Sequence, residues 1–179
     1  GDRKDPRFAQ AVLEESEELL MEAPFLLTVT HFGHITVNAG IDRSNVPAGD
    51  LLLLPEDPAA SARAIRESLS VDAPVVVTDT SGRPFRHGQR AVALGWAGMA
   101  ANRDWRGERD RDGRKLGVTV QSVVDELAGA ANLVTGEGAG GTPVAVVRDW
   151  TFGDHDGHDL LFRDPETDFV RQALRQWSY

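Results

Sequence analysis

The stretch from Val75 to Arg86, VVVTDTSGRPFR, constrains the fold and chemistry of this chain more than any other. Its first residues, Val75 to Val77, are β-branched and follow Pro74. This pattern predicts a buried strand. The strand runs into Asp79 and further polar residues, which favour turns and offer oxygen ligands. The segment therefore predicts either a metal-bound phosphate at a strand end or a plain polar turn whose aspartate caps backbone amides.

Two arginines, Arg83 and Arg86, follow in the same stretch and are held apart by Pro84. Their guanidinium groups are close in sequence to the Asp79 carboxylate, and a guanidinium fork matches the geometry of phosphate oxygens. We therefore take both arginines as candidate catalytic residues that contact phosphate.

The composition and charge of the chain argue against several classes of function. The net charge of -9 argues against general nucleic-acid binding, which needs a basic surface. No apolar run approaches the length of a membrane span, and the charged segment Gly1 to Arg7 does not resemble a signal peptide. The absence of cysteine excludes disulfides, thiolate metal sites and a cysteine nucleophile. We expect one domain over residues 1–179, or two small subdomains that share a core, in a cytoplasmic protein that binds neither nucleic acid nor membrane.

Periodicity and turn signals predict an α+β chain. Asp5 and Pro6 mark the start of a helix that runs to about Met21, because apolar residues recur there at helical spacing. The run 51–54 is continuously apolar and predicts a strand buried on both faces. Further strands are expected at 25–30, 35–39, 91–98 and 143–148, and further helices from Asp57-Pro58, over 119–134 and near 166–177.

We assign no functional site to two polar features of the sequence. The charged segment from Asn102 to Lys115 is either a solvent-facing loop or a mobile substrate loop. His155 and His158 lack a third ligand at suitable spacing, so we expect them in a surface loop.

Three acidic loops share one pattern. Asp42, Asp79 and Glu137 each adjoin an apolar element and have a glycine nearby, which permits close approach of a ligand. Carboxylate and hydroxyl oxygens select hard cations such as Mg²⁺ or Mn²⁺. Three such carboxylates without a cation would repel one another or raise a pKa. If the loops meet, the sequence predicts a divalent cation among them.

A glycine-rich loop from Thr135 to Thr142 follows the helix predicted over 119–134. It offers many unobstructed N–H groups, which suit phosphate oxygens, although a flexible connection would have the same composition. The P-loop and dinucleotide-binding patterns are both absent from the sequence. The candidate phosphate-binding residues of this loop are Thr135, Gly136, Gly138, Ala139, Gly140, Gly141 and Thr142.

Five segments in order along the chain resemble the coenzyme F420:L-glutamate ligases, also called F420-0:gamma-glutamyl ligases. They are NAGIDRSNVP, TDTSGRPFRHGQ, DWRGERDRDGRKL, TVQSVVDELAGAANLVTGEG and PVAVVRD. The resemblance implies an α+β fold of two α/β subdomains, assembled as an intertwined homodimer. It also implies GTP-dependent addition of L-glutamate to the deazaflavin precursor coenzyme F420-0, with two divalent cations (Mg²⁺ or Mn²⁺) and K⁺.

The resemblance also implies roles for individual residues. Asp42 and Asp79 match the ligands of one divalent cation, and Thr80 and Glu137 match ligands of the other. Asn45 matches a contact to the guanine nucleotide. The segment that wraps the nucleotide in the family matches the glycine-rich loop.

This chain differs from the family at its N-terminal end. The family carries roughly a further quarter of chain there, with a lysine after a strand and other nucleotide contacts, so we expect weak GTP binding from these residues alone. Two alternatives stay open: a non-catalytic relative that keeps the core and the dimer surface, and another metal-dependent phosphoryl-transfer enzyme on the same scaffold.

Overall fold

The computed structural model describes residues 5–151 and 157–177, and it confirms an α+β chain. Short helices and strands alternate without a regular repeat. In chain order the elements are α1 (Pro6–Glu14), β1 (Ser16–Met21), β2 (Leu27–Thr30), β3 (Ile35–Val37), a 3-10 turn (Asn38–Gly40), α2 (Pro58–Ser68), β4 (Val75–Ser81), β5 (Arg90–Ala97), β6 (Asn102–Asp104), β7 (Val120–Ser122), α3 (Val123–Thr135), β8 (Gly157–His158) and α4 (Phe169–Gln176).

The chain divides into two compact units. The first comprises Gly1–Pro58, Ser81–Gln89 and Phe162–Tyr179, and the second comprises Ala59–Thr80 and Arg90–Leu161. In the first unit, β1, β2 and β3 form an antiparallel sheet in that order. In the second unit, β4 pairs with β5, while β7, β6 and β8 form an antiparallel sheet with β6 in the centre.

The core of the first unit forms around α1. Asp5 caps this helix, since its carboxylate accepts a hydrogen bond from Arg7 N at 3.1 Å. Phe8 and Val12 lie on its buried face and pack with Ala39 and Ile41. This cluster fixes the chain immediately before Asp42.

The prediction that the first helix extends to Met21 is wrong. The helix ends at Glu14, and Ser16–Met21 is β1, which pairs antiparallel with β2. Glutamate and leucine are good helix formers, and pairing with a strand later in the chain overrides that preference.

Two predicted strands do not form. The run 51–54 makes a single bridge, Asp42 to Leu52, and Leu52 is 55% exposed rather than buried on both faces. The segment 143–148 has no strand, and Val144 is 72% exposed. A strand needs a partner to complete its hydrogen bonds, and β-branched composition alone does not supply one.

Three element boundaries also differ from the prediction. The helix expected over 119–134 is preceded by β7 and begins at Val123. The charged segment from Asn102 begins as β6 rather than as a loop. The strand β4 continues through Asp79 and Thr80 to Ser81, so these residues form a strand end rather than a turn.

An ion-pair cluster fastens α4 to β1 in the first unit. Arg171 is buried and donates through Nε and Nη2 to Oε2 of Glu18, the Nε bond being 3.0 Å long. Arg175 donates from Nε to the other carboxylate oxygen at 2.5 Å. These hydrogen bonds, led by the one from Arg175, lower the pKa of Glu18 to about 2.

Within the two described ranges, no helix combines the length and the apolar character needed to cross a lipid bilayer. His158 lies in β8 rather than in a loop, and His155 lies outside the described residues.

Candidate functional site

Thr80 and Glu137 meet in the second unit. The hydroxyl of Thr80, near the end of β4, is 3.0 Å from Oε1 and 3.1 Å from Oε2 of the Glu137 carboxylate. Glu137 lies just beyond α3, and its surroundings are exposed to solvent. The structure therefore brings together two of the four predicted metal ligands.

The end of α3 holds the carboxylate in place. Gly136 stops the helix with φ 68° and ψ -177°, a backbone conformation that favours glycine. Its N–H donates to the carbonyl oxygen of Asn132 at 2.9 Å. The side-chain amide of Asn132 donates from Nδ2 to Glu137 Oε1 at 2.8 Å.

The start of α3 is fastened to β5, which pairs with β4. Asp125 accepts hydrogen bonds from Ala93 N at 2.9 Å and from the Ser122 hydroxyl at 3.0 Å. Val124 is fully buried and packs in a cluster with Ala93 and Ala101. Because one end of α3 is fixed to the sheet that contains Thr80, its other end presents Glu137 to that residue.

Asp42 lies in the first unit in a tight polar turn. Its Oδ1 accepts hydrogen bonds from the Ser44 hydroxyl at 2.6 Å, from Ser44 N at 2.8 Å and from Arg43 N at 2.7 Å. These bonds, led by the one from the Ser44 hydroxyl, lower the pKa of Asp42 below its ordinary value. The carboxylate is therefore ionised at neutral pH, as a cation ligand must be.

Asp79 precedes Thr80 in β4 and is half-buried. Since successive side chains of a strand lie on opposite faces of its sheet, the two residues are on opposite faces of β4. The predicted pairing of Asp79 with Asp42 stays a prediction.

Asn45, Arg83 and Arg86 are all exposed residues of the first unit. Asn45 has a φ of 55°, which asparagine tolerates better than most residues. Among residues 5–151 and 157–177, neither arginine makes a hydrogen bond or ion pair through its guanidinium group. Both are thus available to an anion, and their predicted role is untested.

The oxygen donors at Thr80 and Glu137 suit a hard divalent cation. A hydroxyl can donate its proton to a carboxylate and still offer lone pairs to a metal. In the part of the chain that the structure describes, no group of three or more histidine, aspartate or glutamate side chains is arranged as a metal site. Mg²⁺ is commonly bound by one or two carboxylates with substrate phosphates and water completing its shell, so a small donor set fits.

The glycine-rich loop is exposed after Gly136. The Thr142 hydroxyl donates to Gly140 O at 3.4 Å, and a Cβ placed on Gly138 would meet nothing within 4 Å. Such an open backbone can receive a ligand, and the predicted phosphate contact is untested.

Two residues that shape these sites were not identified from the sequence. Asn132 contacts Glu137 from the last turn of α3, and Ser44 contacts Asp42 from the next residue but one. An Asp-x-Ser spacing is a known turn signal and could have indicated the second contact. The contact from Asn132 depends on where α3 ends, which local patterns fix poorly.

Comparison with known proteins gives a match along most of the chain. The sequence profile of the family described as F420-0:Gamma-glutamyl ligase matches residues 2–149. This range includes every candidate residue described above.

Individual relatives match over almost the whole chain. A protein of Halorubrum lacusprofundi named Coenzyme F420:L-glutamate ligase is 75% identical over 179 residues, which cover 100% of this chain and 71% of the relative. A protein of Natronomonas pharaonis with the same name is also 75% identical over 179 residues and is covered over 70% of its length. One of Archaeoglobus fulgidus, again with that name, is 46% identical over 177 residues, covering 97% of this chain and 71% of the relative.

Proposed function

The chain belongs to the F420-0:gamma-glutamyl ligase family, and from this premise we propose that it adds L-glutamate to coenzyme F420-0 in a GTP-dependent reaction. The observation that carries the proposal is the 75% identity, over all 179 residues, with a protein named Coenzyme F420:L-glutamate ligase. The meeting of Thr80 with Glu137 supports it, because these are two of the predicted cation ligands.

The proposed reaction has two steps. First, the γ-phosphoryl group of GTP is transferred to the terminal carboxylate of the lactyl group, which gives an acyl phosphate and GDP. The amine of glutamate then attacks the acyl carbon; a C–N bond forms, the C–O bond to phosphate breaks, and the amine loses a proton. Inorganic phosphate leaves, and no protein nucleophile is required.

The chain's own residues would position the phosphate groups in the first step. Thr80 and Glu137 would hold a divalent cation, Mg²⁺ or Mn²⁺, and Asp42 and Asp79 remain the predicted ligands of a second. When bound, such cations neutralise charge on phosphate oxygens. Arg83 and Arg86 would add guanidinium donors to the same class of oxygen.

The remaining assignments also belong to the proposal. Asn45 would contact the guanine nucleotide, and the loop from Thr135 to Thr142 would wrap it through backbone N–H groups. K⁺ and a homodimer are proposed on the family resemblance.

The proposal is tested by incubating the purified chain with coenzyme F420-0, L-glutamate, Mn²⁺ and a saturating concentration of GTP, which offsets the weak GTP binding expected from the sequence. Mass spectrometry should detect the glutamylated coenzyme, with one GDP released per amide formed. Replacing GTP with ATP, or using Glu137→Gln, should remove most of the product.

Two results would contradict the proposal. Product formed without a nucleotide, or equally well with ATP, would refute the dependence on GTP. Nucleotide hydrolysis without glutamate incorporation would instead indicate another phosphoryl-transfer reaction on this scaffold.

A further inference from the structure

We propose that Asn132 is a positioning residue for Glu137 and sets the affinity of the proposed cation site. This inference rests on the proposed function, because it takes Glu137 as a cation ligand. The observation that carries it is the 2.8 Å hydrogen bond from Asn132 Nδ2 to Glu137 Oε1.

Glu137 needs such a partner because of where it lies. It is beyond the end of α3 and exposed, so helical backbone geometry does not restrict its side chain. A free glutamate side chain populates several rotamers, and fixing it costs conformational entropy when a ligand binds. A donor fixed on the preceding helix turn removes part of that cost in advance.

The side-chain amide of Asn132 contacts only one oxygen of the Glu137 carboxylate. Asn132 donates to Oε1, whereas the Thr80 hydroxyl lies at similar distances from both oxygens. A carboxylate has about four lone-pair positions, so positions remain for a cation after both donors are counted. Partners that orient ligating carboxylates in this way usually change metal affinity when they are removed.

The side chain of Asn132 has no part in ending the helix. The bond that closes the last turn runs from Gly136 N to the backbone carbonyl of Asn132, and any residue at position 132 supplies that carbonyl. Asparagine is a poorer helix former than leucine or alanine. A purely structural residue at this position would therefore gain from replacement by either of them.

The test is a calorimetric titration of the chain with Mn²⁺ alone. It compares the unmodified chain with Asn132→Leu and Asn132→Ala, which keep the helix, and with Glu137→Gln. Leu133→Ala is the matched control, since Leu133 is the next residue of α3 and is highly exposed. Melting temperatures in EDTA report the stability of each variant without a cation.

We expect both Asn132 variants to bind Mn²⁺ about ten- to a hundredfold more weakly, with melting temperatures in EDTA unchanged or raised. Leu133→Ala should bind like the unmodified chain.

Unchanged affinity in the Asn132 variants, with weakening in Glu137→Gln, would overturn this inference and leave the proposed site standing. A melting temperature in EDTA that falls along with the affinity would show a structural role and would also overturn it. If the unmodified chain binds no Mn²⁺, the proposed cation site fails and the inference fails with it.

Discussion

The hydroxyl oxygen of Thr80 lies 3.0 Å from Oε1 and 3.1 Å from Oε2 of Glu137, although 57 residues separate the two in the chain. A hydroxyl has one proton, and at these near-equal distances it can donate to either carboxylate oxygen. The carboxylate is thereby held symmetrically about Thr80. The fold thus brings one hydroxyl oxygen and two carboxylate oxygens together at one place.

The hydroxyl of Thr80 can be tested separately from its methyl group. Thr80→Val keeps the shape and the strand preference but removes the donor and the oxygen ligand, whereas Thr80→Ser keeps both. We expect Thr80→Val to weaken Mn²⁺ binding about ten- to a hundredfold, as measured by calorimetry. Thr80→Ser should remain within a few-fold of the unmodified chain. Equal loss in both variants would mean that packing of the methyl group, rather than the oxygen, matters at this position.

The backbone of Gly136 gives a second test of how Glu137 is positioned. At φ 68° and ψ -177°, an alanine is strained, so Gly136→Ala should lower the free energy of unfolding by about 1–3 kcal/mol. Gly138→Ala is the matched control, because its φ is not in the left-handed region and its surroundings are open. Its free energy of unfolding should change by less than about 0.5 kcal/mol.

Urea denaturation measures both variants of this pair. A Gly136→Ala protein as stable as Gly138→Ala would show that the helix end can relax without cost. The position of Glu137 would then not depend on this glycine.

Short sequence patterns predict where helices start. They fail where a segment's structure depends on pairing with a strand that is distant in sequence. Asp5-Pro6 and Asp57-Pro58 each place a helix start correctly, because the cap and the proline act within one turn. The strand Ser16–Met21 was missed, since its pairing with β2 outweighs the helix preference of its glutamates. The segment 143–148 shows the opposite error, because its β-branched residues have no partner strand among the described residues.

The same distinction applies to the site. The acidic, glycine-flanked loop indicates Glu137, the family resemblance pairs it with Thr80, and the fold brings the two together through the anchoring of α3 by Asp125. The contact from Asn132 arises from the geometry of a helix end, to which no pattern of residue types corresponds.

Glu18 should make the stability of the chain depend on pH. Its pKa in the folded chain is about 2, below its ordinary value of 4.5, because Arg175 and Arg171 donate hydrogen bonds to it. A lowered pKa means that the stabilisation is fully present above pH 4.5 and is lost as the pH falls from 4.5 toward 2. Glu18→Gln should lower the free energy of unfolding at pH 7 by about 2–4 kcal/mol, because Arg171 is left buried without its charge partner.

The measurement is urea denaturation of Glu18→Gln and of the unmodified chain at several pH values. The difference between them should be largest at neutral pH and should shrink as Glu18 becomes protonated. Glu17→Gln is the control, since Glu17 is an exposed neighbour in β1, and it should change stability by less than about 0.5 kcal/mol. A difference that is constant down to pH 2 would contradict the ion-pair explanation.

The last prediction concerns Arg83 and Arg86. Both are exposed, and neither forms a hydrogen bond or ion pair through its guanidinium group within the described residues, so the fold does not depend on them. Removing a charge-assisted contact to phosphate costs about 1.5–3 kcal/mol, or roughly ten- to a hundredfold in kcat/KM. We expect that loss for Arg83→Gln and for Arg86→Gln in the ligation assay with GTP, with the melting temperature unchanged. The matched control is Arg163→Gln, an exposed arginine of the same unit that lies outside every candidate segment, which should keep its activity. If both arginine variants ligate glutamate as fast as the unmodified chain, the two guanidinium groups do not contact the reacting phosphate.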